Sequence, residues 1–111
     1  MKSIVTGGCG FIGTNLVNRL VSIGHEVIVI DRVHPQNPNP KVTYYFQDLS
    51  EKYLKYIHLF ESVDNVFHLA SEVSIKYCVE KPNESMANNI LATMNTLECA
   101  RVHNVDRFVF S

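Results

Sequence analysis

The chain has 111 residues, 46% of them hydrophobic and 19% charged, with a formal net charge of −1. That length suits one domain with one core, and the balance is that of a globular chain and not a disordered one. Near-neutral charge gives no electrostatic drive toward nucleic acid or an anionic membrane, and no apolar run approaches the roughly 20 residues of a membrane span.

Lys2–Thr6 reads as a first strand. It stops at the glycine pattern Gly7-x-x-Gly10-x-x-Gly13 and runs into a helix over Phe11–Ile23, where Ile12, Leu16, Val17, Leu20 and Val21 recur at helical spacing. Gly24 supplies the C-terminal stop. A strand, a glycine turn and a helix N-terminus in this order make a cradle for a pyrophosphate. The turn needs backbone with positive φ, close approach of phosphate excludes a Cβ, and free N–H groups with the helix dipole favour an anion. Cys9, between two of the glycines, is read as a small filler and not a redox centre.

Glu26–Asp31 is a nearly continuous apolar run, as expected of a strand covered on both faces. Pro35, Pro38 and Pro40 then make a loop, and Val42–Gln47 is a third strand. Ser50 is expected to cap a short helix with Leu54, Ile57 and Phe60 facing inward. A fourth strand over Asn65–Leu69, a long helix over Glu84–His103 and a fifth strand over Arg107–Ser111 complete the pattern. Strands joined by helical crossovers imply a parallel sheet with right-handed connections. With the glycine turn after the first strand, the expected fold is α/β, a doubly wound parallel Rossmann sheet ordered 3-2-1-4-5.

The chain stops in Phe108-Val109-Phe110-Ser111, and an uncovered apolar edge strand is an aggregation liability. The expectation is that residues 1–111 are the N-terminal portion of a longer protein. Lys2 leads straight into a strand, which disfavours a signal peptide. Cys9, Cys78 and Cys99 are odd in number and widely spaced, as suits reduced thiols and a cytoplasmic location. They form no CxxC pair, and with five scattered histidines no zinc spacing arises.

Asp31 ends the second strand 18 residues after Gly13, the place for a carboxylate that hydrogen-bonds adenosine ribose hydroxyls. Its charge disfavours a 2′-phosphate, so NAD is expected over NADP. Arg32 either pairs with such a phosphate or stays a solvated loop cation, and the second reading is preferred. Asp48 ends a strand at the carboxyl edge of the sheet, where it borders a ligand or merely caps the turn at Ser50. His68, within an apolar strand, is assigned to structure. Asn89 opens a helical stretch, where an asparagine can simply satisfy local backbone.

Several of these stretches, in order, resemble the extended short-chain dehydrogenases/reductases, among them the NAD-dependent sugar-nucleotide epimerases and dehydratases. Thr6-Gly-Gly-Cys-Gly-Phe-Ile-Gly13 resembles their Thr-Gly-x-x-Gly-x-x-Gly signature. Asp48-Leu49 is similar to the pair whose carboxylate contacts adenine, and Phe67-His-Leu-Ala-Ser71 to the stretch that passes under the cofactor. Lys81-Pro82, Asn88-Asn89-Ile90, Thr93 and Leu97-Glu98 resemble the next helix, and Arg107-Phe-Val-Phe-Ser111 the strand leading to a catalytic serine or threonine. Two departures stand out. Some epimerases carry a lysine where this chain has Val73, while Glu72 is similar to the Ala-Ala-Glu-Ser stretch of 4,6-dehydratases. Ala92 stands where glycine is frequent in both.

The resemblance implies a nucleotide-sugar substrate for the full-length protein and a homodimer of the kind family members often form through a bundle that includes the Glu84–His103 helix, while charge and hydropathy point to no nucleic-acid or membrane partner. It places Asn89 near the nicotinamide side. The expected cofactor-binding residues are Gly7, Gly10, Phe11, Ile12, Gly13, Asp31, Arg32, Asp48, Leu49, Leu69, Ala70, Ser71 and Asn89, with no metal ligand. In the family a Tyr-x-x-x-Lys pair does acid/base work after the fifth strand. Tyr77 and Lys81 are the one pair with that spacing here, but they precede that strand, so the match is read as coincidence and no catalytic residue is assigned. A non-catalytic dinucleotide-sensing or scaffold protein of the same fold is the alternative. A flavodoxin-like or receiver-type module is disfavoured, because neither needs three glycines together with Asp31.

Overall fold

The structure, a computed structural model, describes residues 1–72 and 74–111. Its elements are β1 (Lys2–Thr6), α1 (Phe11–Ser22), β2 (Glu26–Asp31), β3 (Val42–Phe46), β4 (Asn65–His68), α2 (Ile75–Glu80), α3 (Pro82–Val102) and β5 (Arg107–Phe110). The strands form one parallel sheet in the order β3-β2-β1-β4-β5. The chain winds outward from β1 to β3, then crosses back to β4 on the other side of β1. That reversal opens a crevice at the carboxyl ends of β1 and β4, the place where ligands bind in doubly wound sheets. No helix among the described residues is long and apolar enough to cross a membrane.

Strand alternation divides the core into two layers. Val27 and Val29 of β2 join Val5, Val17 and Leu20 beneath α1, while Ile28 and Ile30 join Ile4, Tyr56, Phe60 and Val66 on the α3 side. A strand that feeds both layers must be apolar at nearly every position, which explains the unbroken Val-Ile-Val-Ile run. In α1 the seam is Val17 and Leu20, with Leu16 and Val21 half-buried. Ile12, expected on that face, is exposed and lines the cavity at the carboxyl edge of the sheet.

Several local expectations are corrected. Ser50 does not cap a helix: its N–H and hydroxyl both donate to Asp48 Oδ1, at 2.9 and 2.7 Å. Two short 3₁₀ turns follow, Tyr53–Lys55 and Ile57–Phe60, in which Leu54 is exposed, with Tyr56 between them and Phe60 as fully buried side chains. Helix α3 starts at Pro82, whose missing N–H is harmless in a first turn, and Lys81 before it takes an extended φ of −133°. Helix α2 has no counterpart in the sequence reading; it has six residues, none buried, and is started by the Ser74 hydroxyl accepting from the Tyr77 N–H. A short exposed helix carries no apolar periodicity to detect. Strands β3 and β4 each end one residue earlier than expected, at Phe46 and His68.

Candidate functional site

The turn after β1 is held against β2 and the segment that follows β4. Gly7 donates to Ile30 O of β2 at 2.9 Å and has φ +68°, and a Cβ there would meet the Ala70 backbone N at 2.8 Å. At Gly13 a Cβ would lie 2.3 Å from Gly7 O, so helix and turn can meet only because that position has no side chain. Gly10 differs. Its φ of −77° and ψ of −178° suit any residue, and a Cβ would find only Gly7 O, at 3.5 Å. Nothing in the protein requires a glycine at that position.

Gly10 is also the N-cap of α1, with no capping side chain and no acidic residue in the first turn. The N–H groups of Phe11, Ile12 and Gly13 lie in that first turn, where no intrahelical acceptor exists, at the positive end of the helix dipole. They border a cavity of about 470 Å³ at the carboxyl edge of the sheet. That volume lies within the range of small-molecule sites. A glycine free of packing demands, uncapped N–H groups and a cavity beside them fit the pyrophosphate of a dinucleotide.

Every residue expected to bind cofactor lines this one cavity. Gly7, Gly10, Phe11, Ile12 and Gly13 form one wall, and Asp31 and Arg32 lie at the end of β2. Asp48 and Leu49 enter from beyond β3, Leu69, Ala70 and Ser71 from beyond β4, and Asn89 from α3. Asp31 is already engaged on both oxygens: Oδ2 accepts from Cys9 N at 3.0 Å and Oδ1 from Val33 N at 3.2 Å. The carboxylate thus braces the glycine turn while facing the cavity. Asp48 likewise holds the turn at Ser50 and lines the cavity. Arg32 is not a free loop cation, since its Nη2 lies 3.2 Å from Glu72 Oε2.

The cavity also takes in residues the sequence did not single out as a site, including Ile30, Gln47, Glu72, Asn88 and Ala92. Ile30 precedes Asp31 and Asn88 precedes Asn89, so their neighbours were the available signal. Ala92 forms wall by being small. Asn95 was missed outright: its Nδ2 donates to Leu49 O and Glu51 O, each at 2.9 Å, pinning the loop that carries Leu49. Val73 lies outside the described residues.

A buried relay ties the turn to Asn89. Thr6 Oγ1 accepts from Leu69 N at 3.1 Å and Ala70 N at 3.2 Å, so its own proton goes to His68 Nδ1, 2.8 Å away. His68 then carries its proton on Nε2 and donates to Thr93 Oγ1 at 3.0 Å, and Thr93 donates to Asn89 O at 2.8 Å. Asn89 Oδ1 accepts from Glu72 N at 2.7 Å. His68 is therefore a structural neutral histidine, and burial lowers its pKa to about 4. As pH falls below the ordinary value near 6.5, the unfolded chain takes up this proton before the folded one does. Stability is full above about pH 6.5 and is lost toward pH 4, at about 1.4 kcal/mol per pH unit. Denaturant unfolding at pH 6.5 and pH 5 is expected to show a loss of about 2 kcal/mol that a His68→Gln variant lacks. The same loss in that variant would acquit His68.

The cysteines are free thiols. Burial and the neighbouring Asp31 push the Cys9 thiol up to about 11, which suits a filler and not a nucleophile. Tyr77 and Lys81 do not line the cavity. Tyr77 Oη donates to Glu84 Oε2 at 2.7 Å, and Lys81 Nζ lies 3.8 Å from Glu84 Oε1. The bond to Glu84 raises the Tyr77 pKa, opposite to what a tyrosine base needs.

Comparison with known proteins agrees with this architecture. A UDP-glucose 4-epimerase of Lactobacillus helveticus is 33% identical over 115 residues, spanning 100% of this chain and 35% of that protein. The structure of UDP-glucose 4-epimerase from Thermotoga maritima with UDP-glucose superimposes with a TM-score of 0.93 at 31% identity, covering 99% of this chain and 37% of the other. The NAD complex of UDP-glucose 4-epimerase from Thermus thermophilus gives 0.88 at 33% identity, covering 99% and 37%. The chain thus spans a little over a third of the length of these proteins. The model of the NAD dependent epimerase/dehydratase family matches residues 3–111, which takes in every residue of the sheet but Lys2 and all of the cavity lining. This chain belongs to the NAD dependent epimerase/dehydratase family.

Proposed function

We propose that the chain is the NAD-binding part of an epimerase or dehydratase acting on a nucleotide-activated sugar. The observation that carries this reading is the cavity at the β1/β4 crevice, where uncapped α1 N–H groups, an unconstrained Gly10 and the Asp31 carboxylate face one space. In this reading the first turn of α1 holds the pyrophosphate and Asp31 accepts from the adenosine ribose. Asp48 and Leu49 border the adenine. Leu69, Ala70 and Ser71 pass beneath the dinucleotide, and Asn89 steadies that segment through its bond to Glu72 N. Bound NAD supplies uptake and return of a hydride.

The acid/base partner of that chemistry is not Tyr77, whose hydroxyl is committed to Glu84. On this reading the 111-residue chain binds the cofactor and turns over no sugar. Calorimetric titration with NAD, beside a hydride-transfer assay on a panel of nucleotide sugars, tests both halves. Saturable binding without turnover is expected, and absence of binding would sink the reading. Tyr77→Phe is expected to leave NADH affinity within about twofold, as befits a surface hydrogen bond remote from the ligand. A loss of tenfold or more would return Tyr77 to the site.

A further inference from the structure

We propose that Glu72 governs cofactor choice by holding the Arg32 guanidinium in an ion pair, so that it does not receive the 2′-phosphate of NADP(H). The proposal rests on the reading of the cavity as a nicotinamide-dinucleotide site. Arg32 directly follows Asp31, and a cation in that position is the group a 2′-phosphate needs. Its Nη2 instead meets Glu72 Oε2 at 3.2 Å, from a residue 40 positions away on the opposite side of the β1/β4 crevice. Both residues line the cavity.

Glu72 is the fixed member of the pair. Its N–H donates to Asn89 Oδ1 at 2.7 Å, and its carbonyl accepts from Asn89 Nδ2 at 3.4 Å and from the Cys78 thiol at 3.7 Å. Its Oε1 accepts from Ser74 N at 2.9 Å, leaving Oε2 for Arg32. The Glu72 side chain is 18% accessible against 43% for Arg32, so the carboxylate sets where the guanidinium rests. Asp31 does not compete for Arg32, because its oxygens are turned to Cys9 N and Val33 N. An incoming 2′-phosphate must displace Glu72 from the guanidinium and sit near two carboxylates. An ion pair of this exposure weighs modestly, a factor of about fivefold in an equilibrium.

The test is a double-mutant cycle on the 111-residue chain, with dissociation constants for NADH and NADPH measured for the parent, Glu72→Gln, Arg32→Gln and the double variant. Glutamine keeps an acceptor for Ser74 N and removes the charge. Glu72→Gln is expected to lower the NADPH/NADH ratio of dissociation constants by about fivefold, with a gain that fades as salt is added. Arg32→Gln should cost NADPH affinity strongly in the Glu72→Gln background and several-fold less in the parent. Parent binding of NADH with no change of ratio in Glu72→Gln overturns the proposal and leaves the cavity's reading intact, as does a gain that survives in the double variant. No NADH binding by the parent overturns both. If Glu72→Gln fails to fold, Arg32→Gln alone decides: a loss of NADPH affinity of tenfold or more means that Arg32 already serves the phosphate, and the proposal falls.

Discussion

Gly10→Ala is expected to remove most cofactor affinity while leaving the fold intact, whereas Gly13→Ala, three residues further on, is expected to destabilise the fold itself. At Gly13 the new methyl would lie 2.3 Å from Gly7 O and 2.7 Å from Gly8 Cα, and both obstacles are backbone. Relief requires α1 to move off the turn, overpacking that costs about 3 kcal/mol. For a domain of this size that lowers the melting temperature by more than about 10 °C. At Gly10 the backbone is extended and the methyl meets only Gly7 O at 3.5 Å, so stability changes by less than about 1 kcal/mol, the range of an N-cap exchange. That methyl sits on the cavity wall beside the uncapped N–H groups, and NADH affinity should fall by about tenfold or more. Thermal melts followed by circular dichroism, paired with calorimetric titration, separate the two effects. Equal destabilisation by both substitutions would make Gly10 a packing glycine and remove the main support for a phosphate cradle.

Asp31→Asn is expected to weaken NADH by about tenfold to a hundredfold, the range for hydrogen bonds lost from a charged acceptor. Asparagine keeps one oxygen for Cys9 N or Val33 N but puts an N–H₂ in the other place, so it also loosens the brace on the turn. The parent chain should bind NADH more tightly than NADPH, because the Asp31 carboxylate repels a 2′-phosphate. Asp31→Asn should narrow that preference as well as the absolute affinity. Tighter binding of NADPH by the parent chain would refute the assignment of Asp31, whatever the variant does.

Much of this fold is written locally. Glycine spacing after a β-branched run marks the turn, the unbroken Val27–Ile30 run marks an interior strand, and Asp31 follows at its end. Once strands alternate with helical crossovers, handedness leaves few sheet orders to choose among. The segment from Ser50 to Phe60 is not legible in this way: Tyr56, Leu59 and Phe60 stand at the i, i+3, i+4 spacing of one helical face, yet the chain there forms two short 3₁₀ turns with Tyr56 between them. Tyr56 is buried there because its hydroxyl reaches Leu49 O at 2.7 Å, and Asn95 from α3 binds the same carbonyl. No local pattern announces such a bond.

The sequence by itself determined the strand–turn–helix unit, the parallel sheet and the cluster of residues at its carboxyl edge. These follow from backbone freedom at glycine and the period of apolar residues, which act over a few neighbouring positions, and from the connectivity of successive crossovers. Only the tertiary structure decided which glycine answers to packing and which does not, that His68 carries its proton on Nε2, and that Arg32 is paired with Glu72. Each depends on atoms far apart in sequence, 62 positions for Thr6 and His68 and 40 for Arg32 and Glu72, or on how closely two backbone segments approach. Strand register and helix docking set such distances, and neither is a property of any one stretch of chain.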